Sequence, residues 1–89
     1  VSRDLSILID DNIKYDKIHN TVKQINQKLI REISLFDVYK GDKLPKNKKS
    51  YGLAFKILDD EKTLSEQEID GLMNQIIAKL KEEFKAELR

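Results

Sequence analysis

The chain has 89 residues, 17 Lys or Arg against 16 Asp or Glu, one His and no Cys. That length holds one domain with one core, and the lack of cysteine excludes a disulfide framework or thiolate metal site and fits a reducing compartment. The net charge of +1 leaves any polyanionic partner to be judged from local charge placement, and no apolar run reaches the ~20 residues of a membrane span.

Val1-Ser2-Arg3-Asp4-Leu5 enters a strand pattern at once, without a signal-peptide pattern, which points to a fragment of a longer polypeptide. Leu5, Ile7 and Ile9 alternate with Asp4, Ser6 and Leu8, which predicts a first strand. Asp10-Asp11-Asn12 breaks it. Tyr15, Ile18, Val22, Ile25 and Leu29 then recur at helical spacing, one apolar stripe of a first helix. A second strand is expected from about Ile30 or Arg31 to Tyr39, with Phe36 and Val38 facing the core and Leu35, Asp37 and Tyr39 facing away.

Gly41-Asp42 and Pro45-Lys46-Asn47 mark a loop. The third strand alternates cleanly: Tyr51, Leu53, Phe55 and Ile57 on one side, Ser50, Gly52, Ala54 and Lys56 on the other. After an acidic turn at Asp59-Asp60-Glu61, Ser65 with Glu68 three residues on forms a capping box. Ile69, Leu72, Met73, Ile76, Ile77, Leu80 and Phe84 make the apolar stripe of a second helix, with Gly71 inside it as a candidate point of close helix–sheet approach. Ala86 to Arg89 reads as a short fourth strand or a frayed helix end.

The order is that of an α+β, ferredoxin-like split βαββαβ sandwich, with both helices on one face of an antiparallel sheet. With the third strand between the first and second, Ser6, Ser50, Asp37 and Tyr39 fall on the open face, while Phe36, Tyr51, Phe55, Met73 and Phe84 are assigned to packing.

No catalytic site emerges. His19 lies beside the stripe of the first helix without a positioned partner, the serines lack a nucleophile-elbow context, and no glycine-rich phosphate loop is present. The acidic clusters do not have calcium-loop spacing. Nucleic-acid binding has more support. Lys40, Lys43, Lys46, Lys48 and Lys49 crowd one loop against Asp42 alone, a set suited to phosphates, beside strands that offer an aromatic ring to unpaired bases. Asp37 would repel phosphate but can accept hydrogen bonds from the Watson–Crick edge of guanine. The plain alternative is a solubilising hairpin with a tyrosine covering an edge strand.

Arg3-Asp4-Leu5-Ser6, Leu35-Phe36-Asp37-Val38-Tyr39, Pro45 with Lys48-Lys49-Ser50, Thr63-Leu64 with Glu68, and Leu88-Arg89 together resemble the ferredoxin-fold anticodon-binding domain of the bacterial phenylalanyl-tRNA synthetase beta subunit. The resemblance runs over the whole chain as a single domain, 1–89. It implies binding of the anticodon stem-loop of phenylalanine tRNA, with Tyr39 stacking on the first anticodon base, a guanine. Asp37 and Ser50 would make polar contacts and Ser6 would lie against the anticodon; Lys40, Lys43, Lys48 and Lys49, read from the charge of the loop, are added to these as the expected RNA-binding set. It further implies a cytoplasmic alpha-beta heterotetramer that uses ATP and magnesium in its alpha subunit, so that this domain carries no cofactor, metal or catalytic residue. Three places depart from the family pattern: the proline-containing lead-in is absent, Asn47 stands where glycine is common, and Lys85 replaces a glycine before the last strand.

Two other readings use the same fold. One is a ligand-sensing or subunit-docking domain; the other is the equivalent domain of a mitochondrial single-chain synthetase. Fold alone does not choose between them.

Overall fold

A computed structural model describes all residues 1–89. The elements run β1 (Ser2–Asp10), α1 (Tyr15–Ile25), β2 (Ile30–Tyr39), β3 (Lys48–Ile57), α2 (Glu66–Phe84) and β4 (Glu87–Leu88). The sheet order is β2-β3-β1-β4 and every pairing is antiparallel. This is the ferredoxin-like topology expected from the element order. Residues 86–89 do supply a fourth strand, short and paired to β1 at Ile7 and Leu8.

One core holds both helices against one side of the sheet. Ile18 and Val22 of α1 and Ile69, Leu72, Met73, Ile76 and Leu80 of α2 meet Ile7, Ile9, Tyr51, Leu53, Phe55 and Ile57 from the strands. The clean period-2 pattern of β3 explains why its apolar residues are all buried there. Tyr15 crosses to β2, where its hydroxyl donates to the Ile33 carbonyl at 3.2 Å. Burial pushes the Tyr15 phenol up from its ordinary value.

The helix ends follow local chemistry. Ser65 accepts the Glu68 N–H at 3.1 Å and Glu68 accepts the Ser65 N–H at 3.3 Å, completing the capping box. A hydrogen bond from Lys62, followed by the Ser65 backbone N–H, holds the Glu68 carboxyl below its ordinary range. α1 stops at Ile25 rather than running to Leu29, because Asn26 leaves helical geometry and its Oδ1 accepts the Leu29 N–H at 3.0 Å. Leu29 still packs against the core from the turn. Gly71 is exposed with nothing near it, so it does not mediate the close helix–sheet approach considered for it. Asn47 and Lys85 both have positive φ, 66° and 55°, the left-handed region that favours glycine.

β2 departs from simple alternation. Its register against β3 slips between Ile30 and Glu32 and again between Leu35 and Asp37. The second slip is a bulge at Phe36, so Leu35 shares the register of buried Leu53 and faces the helices. The expectation that Phe36 packs in the core fails: it is 57% exposed. Val38 pairs with Tyr51 on the helix side but is 52% exposed, because β2 is the sheet edge.

Candidate nucleic-acid interface

The helix-free face is assembled from three adjacent strands and the end of β4. Cross-strand register places Ser6 beside Gly52 and Gly52 beside Asp37, in one row. In the next row Leu8 lies beside Ser50 and Ser50 beside Tyr39. The residues expected on this face are therefore brought together. Ser6 and Asp37 are exposed and Tyr39 is half-buried. Ser50 is only 3% exposed, forming the floor between Leu8 and Tyr39.

Asp37 makes no ion pair, whereas Asp10 of β1 and Glu32 of β2 do. Asp10 pairs with Lys48 at 2.6 Å, Glu32 with Lys56 at 3.3 Å, and Arg3 with Glu66 of α2 at 3.1 Å. The last contact ties Arg3 to the start of α2. Asp60 and Glu61 likewise pair with Arg31 and Lys28.

The lysines divide into two groups. Lys40, Lys43 and Lys46 are exposed and have no carboxylate partner. Lys48 is tied to Asp10. Lys49 turns to the opposite side of the sheet, 6% exposed, with Nζ donating to the Ile13 carbonyl and lying 4.6 Å from the Tyr51 ring centre. Its charge is buried with a hydrogen-bond partner and its stem packs as an apolar chain. Its placement removes it from any set facing phosphate.

Two residues of this face were missed as site candidates. Phe36 and Asp37 both oppose Gly52, because the bulge puts two residues of β2 against one of β3. A phase change in the sequence marks the bulge: Ile33 and Leu35 hold one parity of the alternation and Val38 the other. The second is Arg89. Its backbone N–H donates to the Ser6 carbonyl at 3.0 Å, and its guanidinium lies 5.2 Å from the Tyr39 ring centre. No periodicity signals that contact, since it spans the full order of strands. His19 rests edge-on to Tyr15 at 5.9 Å, and no three ligating side chains converge to form a metal site.

The topology and this flat, open face define a ferredoxin-like α+β sandwich whose helix-free side is polar and aromatic. Residues 1–89 match the model of the ferredoxin-fold anticodon binding domain, and the chain belongs to that family. It is similar to the phenylalanine–tRNA ligase beta subunits of Porphyromonas gingivalis, 39% identical over 89 residues, and Geobacillus kaustophilus, 34% identical over 89 residues. It is also 37% identical over 87 residues to that of Rickettsia prowazekii. These comparisons cover 98–100% of this chain but only 11% of each relative's length.

Proposed function

We infer that this chain is the anticodon-binding part of a phenylalanine–tRNA ligase beta subunit and that its open face takes the anticodon stem-loop of phenylalanine tRNA. The observation that carries this reading is the placement of Asp37 and Tyr39 in neighbouring rows of the helix-free face of a chain matching the family from end to end. Tyr39 stacks on the first anticodon base, a guanine. Asp37, unpaired and exposed, accepts from that base's Watson–Crick edge or its neighbour's. Ser50 forms the floor beside the ring and Ser6 lies against the loop. Lys40, Lys43 and Lys46 meet the phosphates, while Lys48 steadies the strand end through Asp10.

The parent assembly in this reading is a cytoplasmic alpha-beta heterotetramer whose alpha subunit uses ATP and magnesium; this domain contributes RNA recognition without a cofactor of its own. The chain has no helix long and apolar enough to cross a membrane. The test compares binding of the phenylalanine tRNA anticodon stem-loop with that of one changed at the first anticodon base. The unchanged loop is expected to bind more tightly, and Tyr39→Ala to weaken it by about 1–3 kcal/mol. Equal affinity for both loops would reduce the interaction to nonspecific electrostatics.

A further inference from the structure

We propose that Phe36 is a second stacking platform on the open face, holding a base adjacent to the one on Tyr39; this rests on the anticodon reading above. Three observations carry it. The ring is large, apolar and 57% exposed on a strand that has a core side available. The bulge that turns it outward also sets it next to Asp37, since both oppose Gly52.

The third observation is how the two rings are seated. A Cβ built at Gly52 would fall 2.8 Å from Phe36 Cζ, and one built at Gly41 would fall 2.6 Å from the Tyr39 hydroxyl oxygen. Each ring thus lies against backbone that any larger residue would obstruct. The third glycine, Gly71, has no neighbour within 4 Å. Glycine therefore accompanies close ring–backbone contact only at these two aromatics.

The rows of Gly52 and Ser50 are two residues apart in register, about 7 Å along the strand. Stacked bases rise only about 3.4 Å. Rows at this spacing, with rings that do not pack on each other, suit two splayed bases rather than one continuous stack, which is how unpaired RNA is commonly read. Asp37 shares the Gly52 row with Phe36, one row from Tyr39, and is the hydrogen-bond acceptor. Stacking tolerates any base, so Phe36 contributes affinity and Asp37 contributes identity.

The experiment titrates the 89-residue chain into phenylalanine tRNA anticodon stem-loops carrying 2-aminopurine at each anticodon position in turn. With the wild-type chain, fluorescence is quenched at two adjacent positions. Phe36→Leu restores it at one and weakens affinity about fivefold or more, and Tyr39→Leu restores it at the other. Phe36→Trp keeps the quench, which decides the matter if Phe36→Leu also lowers the melting temperature. Unchanged quench and affinity in Phe36→Leu overturn the proposal while leaving the anticodon reading intact. So does an unchanged quench accompanied by loss of self-association, which would assign the ring to a protein contact. Failure of the wild-type chain to bind any loop overturns both.

Discussion

The two faces of the sheet are built from the same strands, yet they spend their side chains differently. On the helix side Ile7, Ile9, Leu53, Phe55 and Ile57 are sealed in one core and Lys49 is drawn in with them. On the open side the same strands carry Ser6, Asp37, Tyr39 and Ser50, and a phenylalanine that alternation would have sent inward. The difference shows that residue type does not assign a side here. A lysine is buried where its stem packs and its nitrogen meets a carbonyl. A phenylalanine is exposed where one inserted residue shifts the pleat.

The largest expected effect contrasts two phenylalanines. Phe55→Ala, on the buried side, should cost about 3–5 kcal/mol of folding stability. Phe36→Ala should stay within about 0.5 kcal/mol, as for a surface position. Chemical denaturation of both variants measures this directly. A comparable loss at the two positions would break the contrast and make Phe36 a packing residue.

A second pair of measurements sharpens the contrast among lysines. Lys49→Ala removes a buried charged hydrogen bond and should destabilise the fold by about 1–3 kcal/mol. Lys43→Ala and Lys46→Ala should leave the melting temperature unchanged. Each should instead reduce the slope of log affinity for the stem-loop against log salt by about 0.7. A salt slope that responds to Lys49 alone would reverse the assignment.

The smallest effects belong to neither face. Lys85→Gly relieves a left-handed backbone at the end of α2, and Gly71→Ala removes a flexible residue from an exposed turn of that helix. Each should stabilise the fold by about 1 kcal/mol. Neither should alter RNA binding, so any change in stem-loop affinity from them would argue that the contact surface includes α2.

Much of this was legible because it is local. The capping box at Ser65 and Glu68 needs four residues, and the uninterrupted alternation of β3 settles Tyr51, Leu53, Phe55 and Ile57. Asp37 and Tyr39 were assigned to the open face correctly although Leu35 and Phe36 were not, since the bulge precedes them and parity holds again from Asp37 onward. The same alternation, extended one residue before Ser50, already puts Lys49 with the inward set. Its place in a lysine-rich run groups it with the loop, while its phase groups it with the core.

By itself, then, the sequence determined every element but β4, their order and the parity of each unbroken strand, because backbone geometry ties side-chain direction to position over a few residues. Tertiary structure alone decided what depends on neighbours across strands. The bulge is a matter of pairing between β2 and β3, and it places Phe36 over Gly52. The burial of Lys49 depends on Ile13 and Tyr51 being at hand. The approach of Arg89 to Tyr39 requires β4 to lie beside β1 with β3 between β1 and β2. Contacts of that kind are set by the lateral order of the sheet, which no periodicity along a single strand encodes.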